Sequence, residues 1–229
     1  MYRFSIILPF KSDHGHRQEN FEYVCNRYQK LMPEIELCIG YTDSEPFCKA
    51  QAINEAARKA TGDIFIIVDV DVVFEPELLQ QINLHLHVHP WIQPFGFCYL
   101  LSKSATNNLL IQDLYAKLSI QPQEGQMVEI KEAGPLMNVM TRECFEAVNG
   151  FDERFKGWGW EDVAFAYSLD AICGRHYTIR EKIYHLWHPS SANPESEEYN
   201  RNAKLFYRYC KAAQGGAAEV KKIIQERYQ

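Results

Sequence analysis

Hydrophobic positions along the first 70 residues fall into short continuous runs separated by stretches with helical spacing. Continuous apolar runs at 4–9 (FSIILP) and 64–68 (IFIIV), together with an alternating run at 35–41, predict three strands. Apolar residues at helical spacing over 21–31, and a second helical stretch at 46–60, predict two helices between these strands. This β-α-β-α-β order predicts right-handed crossovers and a doubly wound sheet.

The rest of the chain predicts shorter and less regular elements. They are a helix at 75–86, a strand at 95–101, a helix at 108–118, a polar, mobile loop at 121–132, a strand at 136–141, helices at 142–148 and 161–172, a strand at 178–187, and a charged helical stretch from 194 that breaks at Gly215-Gly216. We therefore predict an α/β fold in one domain, with a Rossmann-like doubly wound mixed sheet and C-terminal helices.

The composition limits function and location. Hydrophobic residues make up 46% of the 229 positions, and the net charge of −6 gives no electrostatic footprint for duplex nucleic acid. A ligand that carries a diphosphate would need local countercharge, which a divalent cation can supply. The seven cysteines are scattered, as in reduced thiols, and no apolar run approaches the ~20 residues of a membrane span. We therefore predict a soluble, cytoplasmic protein.

Two carboxylates, Asp69 and Asp71, directly follow the most apolar predicted strand. In doubly wound sheets, ligands bind outside the carboxyl ends of the strands. Two acids at this place can meet one cation, and their hard oxygen atoms suit Mn²⁺ or Mg²⁺. The alternative is a pair of turn residues that cap the next helix.

Glycines, tryptophans and acids follow one another in the run 149–162, NGFDERFKGWGWED. Glycine permits close approach of the backbone to a ligand, and tryptophan offers a flat face to a sugar ring. Carboxylates at the start of a helix stay ionised and can accept a proton from a hydroxyl group. The alternative is a helix cap with aromatic core residues. The candidate residues in this run are Gly157, Trp158, Gly159, Trp160, Glu161 and Asp162.

Two histidines, His185 and His188, lie three residues apart after the last predicted strand. A neutral imidazole can complete the coordination of Mn²⁺ alongside carboxylate and phosphate oxygens. One of the two can be the ligand while the other binds a phosphate or the acceptor. A structural or exposed role is the ordinary alternative for a single histidine.

Four further polar residues lie where a nucleotide-bearing ligand would be expected. Asn54 and Lys49 are on the predicted helix 46–60, and Asp13 and Asp43 follow the first two predicted strands. Asn54 is equally compatible with a satisfied core amide, Lys49 with a solvated charge, and the two acids with turn residues.

Together these motifs resemble known glycosyltransferases. The segments ILPFKSD and DSEPFCKAQAINEAARKATGDIFIIVDVDVVFEPELL resemble the nucleotide-sugar-binding half of family 2-like GT-A glycosyltransferases. The run NGFDERFKGWGWEDVAFAYSL resembles the acceptor-side motif of the β-1,4-galactosyltransferases and polypeptide N-acetylgalactosaminyltransferases. The resemblance covers roughly 4–80 and 134–210, and it implies a nucleotide-sugar-binding half at 1–100, an acceptor-binding half at 101–190 and a helical extension at 191–229.

The resemblance also implies roles for individual residues. Asp71 matches the acid that binds the metal, and Asp69 its partner near the ribose and metal. In the galactosyltransferase-like pattern Asp162 is the catalytic base and Glu161 orients the acceptor. The remaining implied contacts are Pro9, Lys11, Asp13, Asp43, Lys49, Asn54 and Trp158 for the donor, Gly159 and Trp160 for the acceptor, and His185 and His188 for the metal.

The sequence thus leads to a specific functional hypothesis. It is an inverting, Mn²⁺- or Mg²⁺-dependent glycosyltransferase that moves a hexose or N-acetylhexosamine from a UDP-sugar to an acceptor hydroxyl. The acceptor stays open between a glycan, a lipid, a protein, a small molecule and a modified nucleic acid base. The alternatives are a nucleotidyltransferase acting on a sugar phosphate and a non-catalytic carbohydrate-binding module.

Overall fold

The computed structural model describes residues 2–190 and 192–228, which form two mixed β-sheets flanked by helices. The elements are β1 (Phe4–Pro9), α1 (His16–Leu31), β2 (Glu36–Gly40), α2 (Lys49–Lys59), β3 (Ile64–Val68), β4 (Val72–Val73), α3 (Leu78–Leu86), β5 (Trp91–Gln93), β6 (Phe97–Leu101), α4 (Lys103–Leu110), β7 (Gly125–Glu129), β8 (Met137–Thr141), α5 (Arg142–Ala147), α6 (Glu161–Cys173), β9 (Tyr177–Thr178), β10 (Lys182–His185), α7 (Glu197–Gln214) and α8 (Ala217–Gln225). Among the described residues, no helix combines the length and the apolar character needed to cross a bilayer.

The larger sheet confirms the predicted α/β architecture. Its strand order is β2-β1-β3-β8-β5-β9, with β1 parallel to both β2 and β3 and with β8 antiparallel to β3. All five residues of β3 are buried, as the continuous apolar run predicted, because helices cover both faces of this central strand. The parallel order brings the carboxyl ends of β1 and β3 to one edge, where Pro9 and Asp69 lie side by side.

The smaller sheet connects a late part of the chain to the end of β3. Its order is β4-β10-β6-β7, and β10 runs antiparallel to the short strand β4. His185 of β10 pairs with Val72 of β4, and the Leu186 amide donates to the Asp71 carbonyl at 2.7 Å. The pairing of these backbones therefore places β10 next to the acids after β3. No local sequence pattern in β10 predicts this position.

Three predicted elements differ from the structure. The single strand predicted at 178–187 is two short strands, β9 in the larger sheet and β10 in the smaller one. The polar loop predicted at 121–132 contains the edge strand β7, which pairs with β6 in antiparallel register. The helix predicted at 108–118 is instead α4, which starts earlier because Ser102 caps it by accepting a hydrogen bond from the Ala105 amide.

The stretch after α4 is held in a non-helical path by two charged side chains, one buried and one partly buried. Arg27 is 1% exposed and donates to the carbonyls of Leu114 and Ala116 at 2.7 and 3.0 Å. Glu75 pairs with Arg27 at 3.1 Å and accepts from the Leu118 amide at 2.6 Å. These side chains satisfy backbone groups that a helix would otherwise satisfy, which explains why the apolar spacing at 108–118 misled the prediction.

The C-terminal helices pack on α6 and on the segment before it. Asp152, 4% exposed, accepts from Arg154 at 2.7 Å and from the Tyr209 hydroxyl of α7 at 2.8 Å. Burial alone would raise the pKa of Asp152, but the hydrogen bonds from Arg154 and the charge of Arg227 hold this pKa below its ordinary value. The predicted C-terminal helices are therefore part of the domain's packing.

Candidate active site

A cleft of about 670 Å³ opens at the carboxyl ends of β1 and β3. Its position agrees with the rule that doubly wound sheets bind ligands at this edge. Of the residues that the sequence singled out, the cleft is lined by Pro9, Lys11, Lys49, Asp69, Asp71, Gly157, Trp158, Glu161, Asp162, His185 and His188.

Asp71, His185 and His188 form a cluster suited to a metal ion. One ligand atom from each lies within 4.8 Å of the others, and Nε2 of His188 is 3.1 Å from Oδ2 of Asp71. Nε2 of His185 is 3.4 Å from Oδ1 of Asp71, a buried atom with no hydrogen-bond partner in the described parts of the chain. One carboxylate oxygen and two imidazoles match the ligand preference of Mn²⁺ and related cations.

The electrostatics of the cluster also favour a cation. Burial alone would raise the pKa of Asp71, but the hydrogen bond from His188 and the charges of His185 and Arg17 hold it well below its ordinary value. The carboxylate is therefore ionised at neutral pH. The same hydrogen bond to Asp71 raises the pKa of His188, because the imidazolium is stabilised by the carboxylate.

The backbone sets the tautomer of His188. Nδ1 of this ring lies 2.8 Å from the Pro189 carbonyl oxygen, which can only accept, so Nδ1 is the donor. In the neutral ring the lone pair is then on Nε2, the atom that faces Asp71. Metal-binding histidines are commonly oriented by such a carbonyl, so this bond prepares Nε2 for a cation.

Asp69 lies outside this cluster, and its predicted role as a direct metal ligand stays a prediction. Its Oδ1 is 2.6 Å from the ammonium group of Lys49, and the same ammonium is 2.8 Å from Oδ2 of Asp162. Burial would lower the pKa of Lys49, but Asp162, Asp69 and Glu161 raise it well above its ordinary value. Lys49, predicted as a donor contact, is thus a charged bridge between the acid after β3 and the acid on α6.

Glu161 and Asp162 occupy the first turn of α6 and face the cleft. Burial raises the pKa of Asp162 to about 8, opposed by Lys49 and reinforced by Glu161 and Asp69. A carboxylate with a pKa close to the operating pH can both take up and release a proton. Oε2 of Glu161 is buried and has no hydrogen-bond partner within 2–190 or 192–228, so it is available to a bound hydroxyl.

The two tryptophans before these acids have different environments. Trp158 is 47% exposed, lines the cleft and stacks on Tyr199 of α7 with ring centroids 5.4 Å apart. Trp160 lies outside the cleft and stacks on Phe206 of α7 at 4.7 Å. Trp160 adopts φ 77°, a left-handed conformation that turns the chain into α6. Its Nε1 is buried and has no hydrogen-bond partner in the described part of the chain, and its predicted acceptor contact stays a prediction.

Gly159 has a packing role in this loop. Its φ is +103°, and an added Cβ would lie 3.2 Å from the Tyr199 ring. The residue therefore permits close packing of the loop against α7. Its predicted acceptor contact stays a prediction.

Asn202 of α7 holds this loop and was not singled out from the sequence. Its side chain is buried, accepts from the Lys156 amide at 3.3 Å, and donates to the carbonyls of Lys156 at 2.8 Å and Gly159 at 3.1 Å. An amide residue on the buried face of a charged helix could have pointed to Asn202 as a candidate. The sequence alone does not predict which loop its side chain contacts. Asn202 thus positions the backbone between Lys156 and α6.

We expect Asn202→Ala to reduce turnover about tenfold, because the loop that carries Trp158 loses its fixed backbone contacts. The measurement is the steady-state rate of the nucleotide-sugar turnover that the sequence resemblance implies, with tryptophan fluorescence reporting the stacking of Trp158 on Tyr199. Asn200→Ala is the matched control, since Asn200 is exposed on the same helix and its amide donates to the Ser196 carbonyl. Equal turnover of the two variants would remove Asn202 from any positioning role.

Three more predicted donor contacts lie outside the cleft. Asp13 accepts from the amides of Gly15, Arg17 and Gln18, so it caps the start of α1. Asn54 donates to the Phe151 carbonyl and to Glu153, and its Oδ1 accepts from the Phe151 amide. Asp43 is exposed. These contacts match the turn-residue alternative for Asp13 and the satisfied-amide alternative for Asn54, and donor binding by these residues stays a prediction.

Arg17 is the cleft residue that the sequence analysis missed. Its Nε is 3.9 Å from Oδ2 of Asp71, and a terminal nitrogen is 3.4 Å from both ring nitrogens of His188. A cation in the first turn of the helix after β1 was the available signal, since phosphates bind at such helix starts. Arg17 adds a fixed positive charge beside the Asp71 cluster.

Sequence comparisons agree with both halves of the resemblance. Residues 13–92 match the family model described as glycosyl transferase family 2, and residues 126–188 match the one described as the N-terminal domain of galactosyltransferase. Human chondroitin sulfate N-acetylgalactosaminyltransferase 2 is 29% identical over 157 residues, which cover 63% of this chain and 27% of that protein. The chain thus spans about a quarter of the length of the curated relative it matches.

Solved structures share the fold at low sequence identity. The catalytic domain of Drosophila beta1,4galactosyltransferase 7, in complex with xylobiose, has a TM-score of 0.53 at 15% identity and covers 89% of this chain and 80% of its own. Glucosyl-3-phosphoglycerate synthase from Mycobacterium tuberculosis, in complex with Mn²⁺, UDP and phosphoglyceric acid, has a TM-score of 0.56 at 13% identity and covers 93% and 79%. The chain therefore shares the fold of these solved glycosyltransferase structures, and its first part is similar to family 2 glycosyltransferases and its second part to galactosyltransferases.

Proposed function

We propose that this protein transfers a sugar from a UDP-sugar to an acceptor hydroxyl, with inversion at the anomeric carbon and with Mn²⁺ or Mg²⁺ bound. The observation that carries the proposal is that Asp71, His185 and His188 line the same cleft as the Glu161–Asp162 pair. One end of the cleft suits a diphosphate with its cation, and the other offers carboxylates to a hydroxyl group. The complexes of similar structures with Mn²⁺ and UDP support the choice of donor and metal.

The donor end of the cleft is formed by the Asp71 cluster and Arg17. Asp71, His185 and His188 would hold the divalent ion, which when bound stabilises the negative charge of the leaving diphosphate. Arg17 supplies a positive charge within 4 Å of the same carboxylate and can donate to phosphate oxygens. Pro9 and Lys11 line the cleft beyond it, where the uridine is expected. Trp158 is exposed at the opening and can cover the bound sugar.

The acceptor end of the cleft is formed by the first turn of α6. Asp162 accepts the proton of the attacking hydroxyl as the new glycosidic bond forms and the bond to the diphosphate breaks. Lys49 keeps Asp162 in place through its 2.8 Å contact, and its charge favours the ionised form needed before reaction. Glu161 offers its unpartnered Oε2 to an acceptor hydroxyl. Fixing both substrates in this geometry supplies much of the remaining rate.

The structural features weigh against the two alternatives. A nucleotidyltransferase would need a glycine-rich, cationic phosphate loop after β1, whereas this chain has Phe10-Lys11-Ser12 there. In addition, Lys11 is paired with Glu45. A carbohydrate-binding module would use exposed aromatic faces and would not need a buried carboxylate beside two imidazoles.

The proposal is tested by incubating the full chain with a panel of UDP-glucose, UDP-galactose and their N-acetyl forms in the presence of Mn²⁺. We expect slow release of UDP from at least one donor, abolished by a chelator and restored by adding metal. Proton NMR of the transfer product, once an acceptor is found, gives the anomeric configuration and therefore tests inversion. Release of pyrophosphate from UTP and a sugar phosphate, with no donor hydrolysis, would establish the nucleotidyltransferase alternative.

A further inference from the structure

Two of the seven cysteines lie against each other on the side of α6 away from the cleft. Cys144 is in the first turn of α5, and Cys173 is the last residue of α6. Sγ of Cys173 lies 3.7 Å from the carbonyl oxygen of Cys144. Both are free thiols in this structure.

We propose that Cys144 and Cys173 are a disulfide-forming pair, which closes when the protein meets a small-molecule disulfide such as oxidised glutathione. The contact between the Cys173 sulfur and the Cys144 backbone already brings the two residues together, which limits the movement of α5 and α6 that closure needs. Cys173 is half-buried and can be reached from solvent, while Cys144 is 6% exposed and faces it. Neither residue lines the cleft.

The exchange balances in two steps. Cys173, the more exposed thiol, loses its proton and attacks one sulfur of oxidised glutathione, which gives a mixed disulfide and releases one glutathione thiolate. This is the slower step, because the interaction with Cys144 and burial raise the pKa of the Cys173 thiol well above its ordinary value. Cys144 then loses its proton and attacks the Cys173 sulfur, which forms the Cys144–Cys173 bond and releases the second glutathione thiolate. The two protons end on the two glutathione molecules, so the protein is oxidised by two electrons and glutathione is reduced.

The environment of Cys144 suits the second step. The hydrogen bond from Cys173 lowers the pKa of the Cys144 thiol to about 7, against the effect of burial, and Thr141 lowers it further. A thiol with a pKa near the ambient pH is an effective attacking group. Cys25 provides the contrast, because burial alone raises its pKa to about 12.

Closure would link α5 to the end of α6 and enclose the segment 144–173, which contains the Trp158 loop and Asp162. A cross-link over a segment of this length restricts the unfolded chain, so the melting temperature should rise by about 5 to 10 °C. Asp162 lies at the opposite end of α6, roughly 16 Å away along the helix axis. Donor turnover is therefore expected to stay close to that of the reduced protein.

The test is to treat the folded full chain with oxidised glutathione, block free thiols with iodoacetamide, and map disulfides by peptide mass spectrometry. We expect a linked peptide pair joining Cys144 to Cys173 and a higher melting temperature that a reducing agent reverses. Cys144→Ser should abolish both, whereas Cys25→Ser, at another half-buried cysteine, should leave both unchanged.

Two outcomes would overturn the proposal. One is recovery of Cys144 and Cys173 as alkylated thiols from the oxidised wild-type protein. The other is a different pairing, or stable glutathione on Cys173 with no Cys144–Cys173 link. Both outcomes are read on the wild-type chain, so they hold even where the Cys144→Ser variant folds poorly.

Discussion

Replacement of Asp162 by Asn is expected to lower the rate of sugar transfer about a thousandfold while donor affinity changes by less than about twofold. Asparagine has nearly the same shape and can still accept a hydrogen bond from Lys49, which lies 2.8 Å from Oδ2 of Asp162. It cannot take up the proton of the attacking hydroxyl. The measurement is the turnover rate under saturating donor, with UDP affinity from calorimetry as the second readout.

Asp170→Asn is the matched control for this result. Asp170 is on the same helix, away from the cleft, and accepts hydrogen bonds from the backbone and ring of His176. The control should keep wild-type turnover, so a loss in both variants would point to a disturbed helix α6. Turnover of Asp162→Asn within tenfold of the wild type would show that another group is the base.

Removal of the metal cluster should have the second large effect. In Asp71→Asn or His188→Gln, the Mn²⁺-dependent part of UDP affinity is expected to fall by at least about a hundredfold. Both substitutions conserve side-chain size, and each removes one ligand from a set whose atoms lie within 4.8 Å of one another. The measurement is calorimetric titration of UDP with Mn²⁺ and, separately, with a chelator.

The same titration of His87→Gln gives the control, because His87 is an exposed histidine after α3 that stacks on Tyr2. It should bind UDP like the wild type in both conditions. If Asp71→Asn binds UDP with unchanged Mn²⁺ dependence, the cation is held elsewhere in the cleft and Asp69 becomes the next residue to test.

The sequence predicted the first part of the fold well because its signals there are local. The apolar runs of β1 and β3 are continuous because both strands are covered on two faces. The burial of these strands can therefore be predicted from their own residues, without knowing which strands lie beside them. The acids after β3 follow from the same pattern, since the carboxyl end of a central parallel strand is where such folds bind ligands. The start of α6 could also be predicted from the sequence, because two glycines precede it and a pair of acids opens it.

The remaining errors arise where pairing partners are distant. The run predicted as one strand at 178–187 does not indicate that β9 and β10 belong to different sheets. The residue pattern of a strand shows which faces are buried but not which strand pairs with it. Helix α7 packs on Trp160 and Gly159, and the charged side chains of Arg27 and Glu75 hold the stretch after α4 out of a helix. Such contacts depend on residues 40 or more positions away.

By itself, then, the sequence determined the doubly wound half of the domain and the chemical types that meet at its edge: acids, imidazoles and an exposed tryptophan. Only the tertiary structure decided which of these side chains lie next to each other. The pairing of β10 with β4 places His185 and His188 beside Asp71. Lys49 forms ion pairs with both Asp69 and Asp162 and so connects these two acids. The physical reason is that hydrophobic periodicity is written into each segment, whereas the partner of a polar side chain is set by which segments the packed sheets bring together.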